Sequence, residues 1–537
     1  MFRRNAGRTP IEGPQHGLAF RTSFGAARQA RSVLTAARRL AISLVAALAL
    51  LAGSASLAPA LLAADPPEDP YDLAVDAPVL IVLGQSNAVG WSTPISDALD
   101  VDHCASFTHV KGLKREGNRE VGALNAIWTP YTCAGSNLGQ ERSANYSTYN
   151  VATGTALRWE RAITQEGKHL PDLNVIHVAW GGQGIQELDG KNGSANRWWP
   201  ERDPTDIDSL HQLTLNTISN GLRALQDAGK RPRIIGIHWN QWETETAASQ
   251  TTGTSQIQQA FLNVLDPIRT IAGGGTSTPI FLYRPSRQIT PANATRTQYI
   301  TEALTGLASL PEPNPYELID PTFATTATGT ALYKASDAPN FGIFDGDGTH
   351  YTRAVHEWFV DQQWKSVFTD GRIGEPVQRT MNAAQGMPAT QSSTYRDVPI
   401  RAANKAVDGN STSSSLSHTK LDTNAWWQVD LGSLQPIRDV RVLNRTDCCQ
   451  TRLSNFHLVV SATDQTGRSL AEIQSDPDPT IKRVWVKGTA PDQILLPAGV
   501  NGRYVRIQLA GTDYLALKEV LVDVPAPDGP DNREPRP

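Results

Sequence analysis

The chain has 537 residues, enough for two or three domains with separate cores, and its 39% hydrophobic and 19% charged content is that of an ordinary folded protein. A net charge of -4 gives no electrostatic reason to expect nucleic acid or an anionic membrane as partner. Thirteen tryptophans are a mild hint of sugar stacking beside core packing.

Residues 1–65 read as an export signal with a long basic n-region. Basic residues run from Arg3 to Arg39 with no acid after Glu12, and LAISLVAALALLAG then supplies an uncharged apolar core. Cleavage after Ala58 or Ala64 starts the mature chain near Asp65 and predicts a secreted protein with no membrane partner; Arg38-Arg39 admits a twin-arginine route. A retained signal anchor is the alternative, because the apolar stretch is long enough to span if Pro59 is tolerated. An oxidising compartment allows two bridges, one closing the loop between Cys104 and Cys133 and one between the adjacent Cys448 and Cys449. Neither pair has the Cys and His spacing of a zinc site.

Residues 75–370 alternate strand and helix signals. Strands are predicted at Val79 to Leu83, Asn174 to Ala179, Arg233 to His238 and Pro279 to Tyr283, with a weaker one at Tyr316 to Asp320. In DSLHQLTLNTISNGLRALQDAG, Leu210, Leu213, Ile218, Leu222 and Leu225 fall near helical spacing and Gly229 supplies the stop. This pattern predicts an α/β domain, a parallel sheet with helices on both faces, whose ligands bind beyond the carboxyl ends of the strands.

The strand ends carry the chemistry. VLIVLGQSNAVG lifts Ser86 off the first strand, either as a nucleophile or as a cap of the next helix. The second strand runs into Gly181-Gly182-Gln183-Gly184, the third into Asn240-Gln241-Trp242-Glu243, and FDGDGTHYT sets Asp347 three residues before His350. A serine hydroxyl needs an imidazole to take its proton, and the imidazole needs a carboxylate to fix its tautomer. His350 and Asp347 could do both jobs from one loop, although Asp347 could also be only a turn former. The oxyanion needs donors, which the Ser86 and Gly182 N–H groups and a side-chain amide near Gln241 could provide.

The order of GQSN, a Gly block, a Gln-x-Glu block and a late Asp-x-x-His resembles the SGNH-type carbohydrate esterases, in the sialate O-acetylesterase and acetylxylan esterase group. The resemblance covers roughly Ala77 to Thr369. It implies a three-layer α/β fold, with Ser86 as nucleophile, His350 as base, Asp347 as its orienter, and Gly182 and Gln241 as oxyanion donors. It further implies acetylated glycans as substrate and no cofactor for catalysis. The chain departs from the family in having Ala88 where Met is usual, and Trp242 where Gly is usual. Trp242 is expected to narrow the acyl pocket or reshape the oxyanion wall.

After a polar linker at 371–380, residues 381–526 change to short β-rich runs. WWQVDLG, IRDVRVLNR, FHLVVSAT, RVWVKG, RYVRIQLAG and LALKEVLVDV read as strands of a β-sandwich. His418, Arg445, Asp447 and Arg452 are the polar residues to watch, either as donors to sugar hydroxyls or as surface charges paired with Asp422 or Asp447. The spacing of His418, Arg445-x-Asp447 and Arg452, with Cys448-Cys449 inside it, resembles the F-type lectin, or fucolectin, family. NAAQGMPATQSSTY, AANKAVDGN, SHTKLDTNAWWQVDLG and LKEVLV follow that family in order. The resemblance implies a discoidin-like jelly roll in which His418, Arg445 and Arg452 bind fucosylated glycans and a Cys448-Cys449 disulfide packs against the sugar. It also implies a structural calcium on Asp408, Asn410 and Glu519 with backbone oxygens of Lys405, Ser415 and Lys518, a hard-oxygen set. The tail 527–537 is Pro- and Asp-rich and reads as disordered.

Two functions follow as expectations. One is a secreted carbohydrate O-acetylesterase targeted to fucosylated glycans by its lectin domain; the other is a fucose-binding lectin or adhesin with an inactive esterase-like domain.

Overall fold

The β-branched run after Asp76 forms the central strand of the first domain, and all nine of its residues are buried. In the computed structural model the described residues run from 70 to 527. Segments including 96–99, 114–125, 140–147, 186–197, 199–209, 247–252, 286–293, 335–342 and 346–348 lie outside the description. Asp347, the export signal and residues 528–537 therefore lie outside the described residues. Residues 69–537 form one compact unit. No helix among the described residues is long and apolar enough to cross a membrane.

The first domain is built on a seven-stranded sheet. Its strands are β1 (Asp76–Gly84), β2 (Val110–Leu113), β3 (Trp128–Pro130), β4 (Leu173–Ala179), β5 (Arg231–Asn240), β6 (Ile280–Tyr283) and β7 (Tyr316–Ile319). Their order is β3-β2-β4-β1-β5-β6-β7, parallel except for β3 against β2. All five predicted strands are present. The short pair β2 and β3 was not legible, because four and three residues are too few to show a period.

Alternate side chains of β1 feed two cores. Val79, Ile81 and Leu83 pack in one cluster with Leu213, Ile218 and Leu222 of helix α1 (Leu210–Asp227) and Phe261 of helix α2 (Thr254–Ile271). Leu80 and Val82 pack in the other with Val355 and Phe359 of helix α3 (Arg353–Phe368). The result is helix, sheet, helix, with an α/β class as the sequence predicts. The chain runs from β4 on one side of β1 to β5 on the other, so the strand order reverses at β1. Such a switch opens a crevice at the strand carboxyl ends.

The second domain is all β apart from short helical turns. One sheet of five strands runs Lys482–Thr489, Ser454–Ser461, Asn501–Leu509, Trp426–Pro436 and Ala389–Gln391; a four-stranded sheet contains Asp439–Leu443 and Glu519–Pro525. Trp427, Phe456, Leu458, Val505 and Val522 are buried in a single core. The run LALKEVLVDV, read as one strand, is divided at Lys518. Thr512–Leu517 pairs with Ser417–Thr423, whereas Glu519–Pro525 pairs with Asp439–Leu443. Both halves alternate apolar residues, so periodicity alone could not show the change of partner. The two domains meet through α1, where Arg223 forms an ion pair with the fully buried Asp523 and the Gln226 amide donates to the Val377 carbonyl at 3.1 Å.

Candidate functional site

The first site is assembled on β1 and β5. Gly84 ends β1 at φ +134°, and a Cβ there would sit 1.9 Å from the Asn240 carbonyl oxygen, so only glycine lets the two strand ends close. The next residue locks the turn, since the Gln85 N–H donates to that carbonyl at 3.0 Å. Ser86 opens a four-residue helix, Ser86–Val89, for which Gln85 occupies the capping position without a side-chain cap bond. The capping alternative for Ser86 is thereby corrected: its hydroxyl lies one residue too late to cap. Ser86 is half-buried while Asn87 and Ala88 beside it are buried.

The base candidate comes from far along the chain. Phe344 and Tyr351 form an antiparallel bridge and the Asp345 N–H donates to the His350 carbonyl at 2.7 Å, which makes a tight loop around His350. Asn87 reaches this loop on both sides of the histidine, accepting from Tyr351 N–H at 3.0 Å and donating to the Thr349 carbonyl at 3.3 Å. Trp91, just past the helix, stacks on the His350 ring with centroids 6.0 Å apart and planes at 25°. The structure thus brings the Ser86 turn and the His350 loop together.

The remaining sequence candidates fall at the same rim with different roles. Gly182 is exposed at φ +70° in the turn after β4. The Gln241 amide donates to the Gln183 carbonyl at 2.6 Å and to the Glu245 carboxylate at 3.1 and 3.3 Å. With both amide protons engaged, Gln241 braces the glycine turn and has none left for an oxyanion, which corrects its expected donor role. Glu245 accepts from Ile185 N–H at 2.7 Å as well; burial pushes its carboxyl above the ordinary range, against the pull of these bonds. Trp242 adopts φ 103°, a left-handed backbone in which a bulky side chain is an outlier. Its indole is buried against Phe261, with ring centroids 5.1 Å apart, in the core under the sheet. The expectation that Trp242 shapes the acyl pocket is therefore corrected: the strained backbone turns the indole into the core.

Two residues at this rim had no role in the sequence reading. Glu243 accepts from Asn87 at 2.7 Å and from the Gln85 amide, and Asn240 has both side-chain polar atoms buried without a partner among the described residues. Both stand in the Asn240-Gln241-Trp242-Glu243 block, so the signal was present but carried no assignment.

The second site lies in the sandwich. His418 is buried on strand Ser417–Thr423, and its Nδ1 donates to the Thr419 carbonyl at 2.7 Å, which leaves Nε2 as an acceptor. Burial, then the positive charges of Arg445 and Arg452, hold this imidazole below the ordinary histidine range. Arg445 grips Asp447 through Nε and Nη2 at 2.9 and 2.7 Å, using two of its five donors. Arg452 lies 3.7 Å from Asp513, with its guanidinium 4.6 Å from the Tyr514 ring centre. Tyr395 and Tyr514 flank His418 at 4.7 and 5.5 Å between ring centres. The two tyrosines were missed because they lie 23 residues before and 96 after His418 and meet only in the fold. Asp422, an alternative partner for the arginines, instead accepts from the Ser392 and Ser393 hydroxyls.

Cys104 and Cys133 form a disulfide. The sulfurs of the adjacent Cys448 and Cys449 stand 2.6 Å apart, far closer than unbonded sulfurs come and somewhat beyond the about 2.05 Å of a formed bond. Cys449 adopts a left-handed backbone at φ 60°.

Of the residues expected to hold calcium, Asp408 is tied to Ser415 and Asn410, and Glu519 reaches the neighbouring Gly409. Asp408 accepts from Ser415 Oγ at 2.7 Å, from Lys405 Nζ at 3.2 Å and from Asn410 N–H at 3.0 Å. Glu519 takes Gly409 N–H at 3.1 Å on one oxygen, while its other oxygen is buried with no partner. Burial and the Asp408 charge push the Glu519 carboxyl up to about 7. Lys518 N–H is held by the Leu443 carbonyl at 2.9 Å.

Comparison with known proteins agrees with the sandwich. Residues 405–507 match the family model described as NedA-like, galactose-binding domain. Fold and match together define the C-terminal region as an all-β, discoidin-like lectin domain. The chain is 33% identical over 155 residues to Fucolectin-3 of Anguilla japonica, an alignment covering 27% of this chain and 82% of the relative. It is 34% identical over 127 residues to Fucolectin-5 of the same species, covering 23% of this chain and 64% of the relative, just under two thirds of its length. A solved fucolectin from the serum of Morone saxatilis is similar at 32% identity, covering 27% of this chain and 49% of that one with a TM-score of 0.24. Through its C-terminal domain, the chain belongs to the fucolectin family.

Proposed function

We propose that this protein is a secreted carbohydrate O-acetylesterase of SGNH type, carried to fucosylated glycans by its lectin domain. The observation that carries the reading is the joining of the Ser86 turn to the His350 loop across more than 260 residues of sequence through Asn87. Ser86 Oγ attacks the acetyl carbonyl as His350 takes its proton, with Asp347 as the orienting carboxylate. The Ser86 and Gly182 N–H groups stabilise the oxyanion. Collapse expels the sugar oxygen, which takes the proton from His350; water then attacks the acyl-serine by the same route and releases acetate.

In the lectin domain, His418 Nε2 accepts from a sugar hydroxyl while the unused donors of Arg445 and Arg452 reach others, and Tyr395 and Tyr514 wall the site. The name fucolectin among its relatives supports L-fucose as the sugar. Calcium fits the Asp408 and Glu519 pair, because an orphaned buried carboxylate oxygen beside a second carboxylate calls for a cation. Asp408, Asn410 and Glu519 would hold it with the Lys405, Ser415 and Lys518 carbonyls, and it would fix the loop beside strand Ser417–Thr423. Tethering raises the local concentration of catalyst on the glycan without entering the chemical step.

A lectin with an inactive first domain is the second reading, favoured by the engagement of both Gln241 amide protons. Crossed variants separate the two. Ser86→Ala is expected to abolish hydrolysis of acetylated sugars and keep retention on a fucose matrix, and Arg445→Ala to do the reverse with a small soluble ester. A wild-type chain inert on every acetylated sugar would leave the lectin reading standing.

A further inference from the structure

Ser86 and His350 can act together only if two separate turns keep their register, and one side chain is bonded to both sides of the His350 turn. The Asn87 side chain is wholly buried and directly follows Ser86. Its Oδ1 accepts from Tyr351 N–H at 3.0 Å, and its Nδ2 donates to the Thr349 carbonyl at 3.3 Å and to Glu243 Oε1 at 2.7 Å. The orientation of this amide is not ambiguous. A carboxylate and a carbonyl can only accept and a backbone N–H can only donate, so an end-for-end flip would break all three bonds. Glu243 completes the arrangement, because its second oxygen takes the Gln85 amide, whose own oxygen accepts from Thr244 Oγ1 at 2.7 Å. The nucleophile is therefore bracketed by Gln85 and Asn87, both held by one carboxylate. The base is bracketed by Thr349 and Tyr351, both held by Asn87.

We propose that Asn87 is a positioning residue that sets the His350 loop against Ser86, with Glu243 fixing the direction of its amide. This inference rests on the esterase reading of Ser86 and His350. Asn87 touches neither substrate nor reacting atoms in this role; it acts through the backbone on either side of the base. A displacement of about 1 Å between reacting groups costs about 10²-fold in rate, so a loosened clamp acts on turnover and leaves binding of a small ester nearly untouched.

The test uses the full chain and an activated acetyl ester. Asn87→Asp preserves shape but sets a second carboxylate against Glu243 and the Thr349 carbonyl. Its kcat is expected to fall about 10²-fold with KM within about twofold of wild type. Glu243→Gln keeps one acceptor and is expected to fall about tenfold, again in kcat, and this milder variant carries the test if Asn87→Asp does not fold. Retention on a fucose matrix and the thermal unfolding midpoint report the fold of each variant. A folded Asn87→Asp with wild-type kcat overturns the proposal, and so does a loss that appears in KM or in step with lost fucose retention. A wild-type chain without any turnover overturns the esterase reading itself, a distinct result from an active wild type with indifferent variants.

Discussion

The two sites of this molecule are held together by opposite means. In the α/β domain the candidate catalytic groups are organised by side-chain amides, one carboxylate and backbone groups drawn from β1, β5 and a loop near residue 350. In the sandwich the candidate sugar-binding groups are cations and aromatic rings, each braced by a neighbour such as Asp447 for Arg445 or Thr419 for His418. The contrast matches the two proposed tasks. Binding a neutral sugar needs fixed donors and acceptors on a rigid surface, whereas attack on an ester needs two groups held in register with each other.

Variants in either site test this division. The largest effect is expected from Ser86→Ala, which should lower turnover of an acetyl ester by at least about 10³-fold in a steady-state assay while fucose retention is unchanged. Arg445→Ala should weaken fucose binding by about 10–100-fold in calorimetry, the range for lost hydrogen bonds to a charged group, and leave soluble-ester turnover intact. If calcium is held at Asp408 and Glu519 as proposed, chelation should lower the unfolding midpoint of the sandwich by about 4–8 °C in a thermal scan, because such a cation would bind only the folded loop.

The smallest effect is a pH dependence of the sandwich. His418 is held neutral by burial and by Arg445 and Arg452, so the folded site takes up a proton less readily than the unfolded chain. Stability from this residue is present above about pH 6.5 and is lost as the pH falls through the lowered folded value. Fucose retention should therefore persist through the ordinary histidine range and decline only below it. Decline centred on the ordinary range would show that the imidazole is not shielded as described.

Much of this was legible in the sequence because it is carried by local pattern. The apolar run ending in GQSN gave β1 and its turn, and the Leu spacing gave α1. His418, Arg445 and Arg452 were singled out by the resemblance to the fucolectin spacing, and the fold brings both guanidinium charges to bear on the His418 ring. What escaped depends on side-chain direction. Gln241 and Asn240 are adjacent amides at one strand end, yet one is tied to Glu245 and the other has no partner among the described residues. Trp242 is a large aromatic at a rim, and only its burial against Phe261 in the fold shows that the indole faces the core. The division at Lys518 escaped for a related reason, since alternation does not name the partner strand.

The central claim is that Ser86 is an activated nucleophile beside His350, and covalent labelling addresses it most directly. The full chain treated with a serine-directed fluorophosphonate should carry one adduct on the peptide containing Ser86, and His350→Ala should lose it while still binding fucose. A fucose-binding wild-type chain that takes no label at Ser86 would contradict the account.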